Sequence, residues 1–412
     1  MNRRDFLAAS ALLPFASRVV AAEPAPGTGP WNVRDLQKKP NFELTGTEKV
    51  KEGEHMVDLS TVYYEGEPWM GKPTRVFAYY ARPSELPEKK LPAMVLVHGG
   101  GGTAFPEWAR LWASRGYAAL AMDLSGSGPE RKRLPDGGPD QDDEWKFRRL
   151  KDGIKNAWTY QSVASVIRGG SLLASLPEVD KNRMGITGIS WGGYLTNLVM
   201  SLDDRLKAAA PVYGCGYLHE NSVWLPIFAQ LPEEERRTWV ENFDPSRYLP
   251  RCKIPTLWVN GTNDFAYPLD SYQKCYRSVK GPRTLCITVK MPHGHPQGWA
   301  PQEIHLFTDS IFRRKELARG LATVGRPVVG VDKIRLAYDA ETAIQSAELN
   351  WTPDLDKPWQ QREWKTAFGR VLGLHEIEAD LPKDRPCVYF LTIKDNRGAV
   401  VSTEHELYPR PT

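Results

Sequence analysis

The sequence predicts an α/β protein: a doubly wound parallel sheet with helices on both faces, followed by a C-terminal β-sandwich. Three observations carry this. Short, almost wholly apolar runs such as "LPAMVLV", "AALAM" and "IPTLWV" read as strands covered on both faces. Stretches with helical spacing, such as "PEWARLWASRGY", separate those runs. After about residue 323 the helical period gives way to short alternating strands at regular intervals. At 412 residues the chain exceeds one ordinary domain, which agrees with two.

The chain opens with "MNRRDFLAASALLPFASRVVAAEPAPGTGP". Paired Arg3 and Arg4, then Phe6 and Leu7, an Ala/Leu-rich stretch and the small-residue site "VVAA" read as a twin-arginine signal over residues 1–22. The expected location is therefore periplasmic or secreted, with the twin-arginine export machinery as a partner. The apolar run is too short, and too interrupted by Pro14 and Arg18, to span a bilayer, so no integral membrane segment is expected after signal removal. Three arginines and one aspartate leave with the signal, taking the formal charge from +4 to about +2. That small charge, with no long Lys/Arg block, argues against nucleic acid as a partner. Hydrophobic content of 41% and charged content of 25% are those of a soluble globular protein.

Cys215, Cys252, Cys275, Cys286 and Cys387 show no C-x-x-C spacing, so neither a metal nor a redox cofactor is expected. Buried free thiols are favoured over bridges between Cys215 and Cys252 or Cys275 and Cys286.

After a Pro/Gly-rich linker, residues 50 to 82 alternate apolar and polar positions, as in "RVFAYYARP", and predict leading antiparallel strands. Strands and helices then alternate through "LPAMVLVHGG", "AALAMDLSG", "NAWTYQSVASVIRGGSLLASL", "RMGITGIS", "LKAAAPVYG", "IPTLWVNG" and "RTLCITV". These assign residues 23–318 to a catalytic domain, with a cap-like helical insertion at about 216–250 around "LPEEERRTWVENF". A break near "ARGLATVGRP" precedes the sandwich, residues 323–412, in which Asp395 to Gly398 gives a tight hairpin turn.

Chemistry points to Ser190. It follows a buried strand and precedes a helix beginning near Trp191, and Gly188 and Gly192 leave room for a strained backbone. A serine hydroxyl is a weak nucleophile that needs an imidazole to take its proton and a carboxylate to orient that imidazole. Asp264, in the loop after "TLWV", supplies the carboxylate; Asn263 cannot carry the charge, and Asp270 lies beyond Pro268 where a helix should begin. "CITVKMPHGHPQGW" offers His293 and His295, of which His295 is favoured as the base. Activity should then rise as His295 deprotonates, near the ordinary histidine value of about 6.5 or somewhat above. Four glycines in "VLVHGGGGTAF" permit backbone amides to face inward, so Gly100 and Gly101 join the Trp191 amide as candidate oxyanion-hole donors, with Gly102 or Thr103 as alternatives. His98 is expected to support this loop.

"HGGGG", "GITGISWGGY", "GTNDFAYP" and "PHGHPQGW" resemble the α/β-hydrolase superfamily, in the branch of acetyl xylan esterases, dienelactone-hydrolase-like proteins and prolyl-oligopeptidase-type catalytic domains. The resemblance covers roughly residues 60 to 318 and implies a doubly wound α/β-hydrolase sheet with a triad at Ser190, Asp264 and His295. The C-terminal part resembles immunoglobulin/fibronectin III-like sandwiches by pattern alone. The function expected is a serine esterase working through an acyl-enzyme on an acylated carbohydrate of the acetyl xylan type or another small ester. Alternatives are a prolyl-oligopeptidase-type peptidase and a hydrolase-fold binding protein without chemistry. Only about 40 residues stand between the signal and the hydrolase pattern, short of a propeller, which favours the esterase. Trp224 and Trp299 are candidate substrate contacts, since flat aromatic faces suit sugar rings, although core packing accounts for most of the fourteen tryptophans.

Overall fold

In the computed structural model, residues 27–313 and 318–409 are described, and the twin-arginine segment lies outside them. After a short helix α1 (Val33–Leu36), the leading strands β1 (Phe42–Glu52), β2 (His55–Glu65) and β3 (Arg75–Pro83) pair antiparallel. They begin some eight residues earlier than the sequence suggests. β1 escapes an alternation pattern because most of it is exposed on both faces.

Next come β4 (Leu91–Val97), α2 (Pro106–Ser114), β5 (Ala118–Met122), α3 (Trp158–Ser175), β6 (Val179–Ile189), α4 (Trp191–Leu202) and β7 (Ala208–Val212). Every residue of β4, β5 and β7 is buried, as both-face coverage requires. The strand order is β1-β2-β3-β5-β4-β6-β7-β8-β9, with β8 at Thr256–Gly261 and β9 at Arg283–Thr288, and every pair from β5 through β9 is parallel. Two apolar cores, one on each face, hold this mixed sheet: one contains Trp158, Trp191 and Trp239, the other Trp108, Trp112 and Tyr213. α4 is buried along its whole length, so the helix following Ser190 is fixed by packing on all sides.

The connection from β7 to β8 carries α5 (Leu225–Gln230) and α6 (Glu233–Phe243), and Trp239 and Phe243 of α6 turn inward. α7 (Leu269–Ser278), α8 (His295–Trp299) and α9 (Gln302–Phe312) complete the helices. All five cysteines are buried and free.

The C-terminal strands form two antiparallel groups around a third core that includes Ile334, Leu336, Leu349, Ile377 and Leu391. One group has β10 (Thr323–Val324), β11 (Val328–Val329), β12 (Lys333–Asp339), β15 (Arg370–Leu372) and β16 (Glu376–Asp380). The other has β13 (Ile344–Thr352), β14 (Lys365–Phe368), β17 (Cys387–Asp395), β18 (Val400–Ser402) and β19 (Glu406–Tyr408). The second group does not stand apart. β18 pairs with β9 through Ser402 and Leu285, and the Ser402 hydroxyl accepts from the Ile287 amide at 3.0 Å, so the two units share one continuous sheet. A periodicity pattern locates strands but carries no information on which outer strand a neighbour will find.

Candidate active site

Ser190 sits where β6 turns into α4, with φ 58° and ψ −120°, in a left-handed region that non-glycine residues rarely occupy. Its amide donates to the Val212 carbonyl at 3.0 Å and its carbonyl accepts from Tyr194 at 2.9 Å. The flanking glycines are sterically required. A Cβ at Gly188 would lie 2.2 Å from the Gly192 oxygen, and one at Gly192 would lie 1.9 Å from the Val97 oxygen. Close contact between elbow and sheet therefore holds the serine in its uncommon conformation.

Asp264 is buried in the loop after β8. One carboxylate oxygen, Oδ1, accepts from the amides of Ala266 at 2.9 Å and Tyr267 at 2.7 Å. The other, Oδ2, accepts from Nδ1 of His293 at 2.6 Å. The His293 imidazole lies in an aromatic slot, 4.3 Å from the Tyr213 ring and 4.8 Å from that of Phe265. Tyr213 also donates its hydroxyl to the Gly294 carbonyl and accepts from the Gly294 amide at 3.3 Å, which fixes the segment joining the two histidines.

His295, expected as the base, does not meet Asp264. The chain leaving β9 passes the carboxylate at position 293, and by position 295 it has begun α8. The His295 ring lies 4.8 Å from Phe105, and its Nε2 accepts from the Gly99 amide at 3.0 Å. Burial, with His98 and His293 nearby, lowers its pKa to about 4. Near neutrality this imidazole is uncharged and its lone pair is engaged. An activity rise near 6.5 therefore cannot be assigned to it.

In the glycine loop, the residue packed nearest the serine precedes the two expected donors. Gly99 is the residue against the serine: a Cβ there would lie 2.9 Å from the Ser190 Cβ and 2.6 Å from the Ile189 oxygen. Gly100 borders the Trp191 indole, its Cβ position 3.1 Å from Cδ1, and Gly101, at φ 65°, stands outward with nothing within 4 Å of its Cβ position. Gly102 closes the turn with its amide on the Gly99 carbonyl at 3.1 Å. His98 supports the loop, as expected. Its Nδ1 donates to the Gly99 carbonyl at 2.7 Å while Nε2 accepts from the Leu124 amide at 2.9 Å.

Trp224 and Trp299 fall on different sides. Trp224 packs 4.5 Å from Trp191 and 5.1 Å from Tyr267, whereas Trp299 lies 5.4 Å from Trp108 and meets Phe105 behind His295. Two further residues escaped sequence reasoning. Tyr267 is fully buried, and its hydroxyl lies close enough to Ser190 to feel that side chain without completing a hydrogen bond. Burial raises its pKa, and Ser190 opposes that rise. Lys146, buried beneath the site, holds its ammonium 4.9 Å from the Trp191 ring centroid, and burial lowers its pKa. The only sequence signal for Tyr267 is its place three residues after the acid, and Lys146 has none.

Among the described residues, no group of three or more His, Cys, Asp or Glu is placed to hold a metal ion, and no helix is long and apolar enough to cross a membrane.

A strained serine between strand and helix, and an acid and histidine after later strands of a mixed nine-stranded sheet with an antiparallel leading segment, define a member of the α/β-hydrolase superfamily. Within it, the model of the acetyl xylan esterase (AXE1) family matches residues 31–247, just over half of the chain, and the chain belongs to that family. A second model, of PhoPQ-activated pathogenicity-related protein, matches residues 226–333. Among solved structures, the acetyl xylan esterase from Paenibacillus sp. R4 superposes with a TM-score of 0.56 at 25% identity, covering 68% of this chain and 92% of its own. Acetyl xylan esterase 1 from Thermoanaerobacterium sp. JW/SL YS485 shares the fold with a TM-score of 0.54 at 19% identity, over 68% and 92% of the two chains. Among curated proteins, uncharacterized peptidase YuxL of Bacillus subtilis (strain 168) is 25% identical over 62% of this chain and 39% of its own length. Acetyl esterase Axe7A of Xylanibacter ruminicola is 22% identical over 59% and 56%. The chain thus spans only part of the length of these curated relatives.

Proposed function

We propose that this protein is an exported serine esterase that removes acyl groups, acetyl above all, from carbohydrate through an acyl-enzyme on Ser190. The carrying observation is the hydrogen-bonded Asp264–His293 pair on the same rim of the sheet as the strained Ser190. In this reading Ser190 Oγ attacks the acyl carbon and His293 takes its proton. Asp264 holds the imidazole in the tautomer that leaves Nε2 free to do so. The Trp191 amide and the amide of Gly100 or Gly101 hold the oxyanion, and the proton passes from His293 to the departing alcohol. Water then repeats the sequence on the acyl-enzyme. Membership of the acetyl xylan esterase family supports the substrate class. Arg3, Arg4 and the segment after them support export. Two antiparallel groups around one core support an immunoglobulin/fibronectin III-like sandwich for the C-terminal unit.

A peptidase is the second reading, favoured by the name of the Bacillus subtilis relative. A fluorophosphonate probe tests the chemistry. Labelling that disappears in Ser190→Ala supports the mechanism, and a folded wild-type protein that resists labelling overturns it. Acetylated xylan and p-nitrophenyl acetate, set against aminoacyl and prolyl anilides, test the substrate, and faster turnover of the anilides would replace esterase with peptidase.

A further inference from the structure

We propose that the loop between β13 and β14, residues 353–364 of the C-terminal unit, is a positioning element for the acid–histidine pair. The inference rests on the reading of Ser190, Asp264 and His293 given above. Asn263, the neighbour of Asp264, turns its side chain into this loop. There its Nδ2 donates to the carbonyl of Arg362 at 2.8 Å and approaches those of Gln360 at 3.3 Å and Trp359 at 3.4 Å. One amide group thereby collects the carbonyls at the end of a single helical turn, Trp359–Gln361.

The contact continues into the histidine loop. Asn263 Oδ1 accepts from the Thr262 hydroxyl at 2.7 Å, and that hydroxyl oxygen accepts from the Lys290 amide at 3.0 Å. Lys290, three residues before His293 and at φ 53°, sends its ammonium back to Glu363 at 2.8 Å. The loops carrying Asp264 and His293 are thus tied to each other and to one strap.

The strap is braced by bonds of its own. Arg362 donates to the carbonyls of Lys357 at 3.0 Å and Leu355 at 3.1 Å, and its guanidinium lies 3.9 Å from the Trp359 ring centroid. Asp354 accepts from the Glu363 amide at 2.8 Å. Trp364 packs 5.3 Å from Phe390 of β17 and Trp359 4.9 Å from His405, anchoring the strap to β17 and to the connection between β18 and β19. A carboxylate held this way keeps its Oδ2 aimed at one imidazole rather than sampling its loop, and small misplacements of catalytic groups are costly.

The test uses the full chain. In Asn263→Ala, kcat on p-nitrophenyl acetate should fall about 10- to 100-fold with KM within about twofold, the scale of an ångström-sized misplacement. The low-field proton resonance of the His293–Asp264 hydrogen bond should broaden or move upfield. Arg362→Met, which removes the side-chain bonds inside the strap while keeping the carbonyl that Asn263 meets, should shift both readouts in the same direction, and Glu363→Ala should do so to a smaller extent. Wild-type kcat and an unmoved resonance in Asn263→Ala and Arg362→Met overturn the inference. If Asn263→Ala does not fold, Arg362→Met decides by the same criteria, and if neither folds, Glu363→Ala does, its side chain being exposed. Ser190→Ala runs alongside: if it retains activity, the functional reading fails, whereas an inactive Ser190→Ala with wild-type strap variants removes the positioning role alone.

Discussion

His293 donates its Nδ1 proton to Oδ2 of Asp264 across 2.6 Å, while the partner oxygen of that carboxylate is held by two amides of its own loop. The carboxylate thus has one direction left to offer, and only one of the two histidines lies along it. His293→Ala should lower kcat by about 10⁵- to 10⁶-fold, and Asp264→Asn by about 10⁴-fold through the wrong tautomer. His295→Ala should lose far less, because it removes the acceptor on Gly99 and a ring contact with Phe105 rather than the group bonded to Asp264. Steady-state kinetics of the three variants on one chromogenic ester checks the ranking, and a His295→Ala loss equal to that of His293→Ala would refute it.

Acid should unfold this protein in a definite window. Burial lowers the pKa of His295 and His305 to about 4 and that of His405 to about 3. In the unfolded chain each returns to about 6.5. Between those limits the unfolded state binds more protons, so these side chains contribute full stability above about pH 6.5 and lose it as the pH falls toward 4. The melting temperature should be level from pH 7 to 8 and drop between 6.5 and 4, and His305→Gln should flatten the drop. A curve that first falls below pH 4 would mean that carboxylates, not imidazoles, set acid stability.

Tyr267 separates stability from rate. Its buried hydroxyl has no hydrogen-bond partner, so Tyr267→Phe removes an unsatisfied group and should leave the melting temperature equal or higher. If that hydroxyl steadies Ser190 during the reaction, kcat should fall by about tenfold, the value of one modest hydrogen bond at about 1.4 kcal/mol. Calorimetry and kinetics on the same preparation give both numbers, and an unchanged kcat would make the tyrosine a packing residue only.

The glycines of the site should sort by the space their Cβ would meet. Gly192→Ala would put a carbon 1.9 Å from the Val97 oxygen and should yield no folded protein. Gly101→Ala meets nothing within 4 Å but carries φ 65°, so its cost should be confined to about 1 kcal/mol of backbone strain. Denaturant midpoints of soluble variants measure this, and a well-folded Gly192→Ala would contradict the geometry.

The parallel strands and the helices between them were legible in the sequence because each buried strand is an uninterrupted apolar run closed by a turn. The Ser190 turn was legible for a related reason: glycines two positions to either side are what so close an approach demands. The choice of histidine was not. His293 and His295 differ by two residues, and what separates them is where α8 begins and which way the Asp264 loop turns one oxygen, both set by contacts distant in the chain. Gly99 was passed over for similar reasons, since four adjacent glycines look alike until a strand end fixes which one faces the serine. Asn263 was set aside for lacking a charge, and its amide finds its partners some ninety-six to ninety-nine residues away.

The seam between β9 and β18 has a further consequence for how the molecule stays in solution. Without its last ninety or so residues, the flank of β9 would present bare amides and carbonyls to any other extended chain, an invitation to stack copy upon copy. Beyond any part in catalysis, the appended unit therefore acts as a terminator for the hydrolase half, and a shortened version should be lost to precipitation before it is lost to poor chemistry.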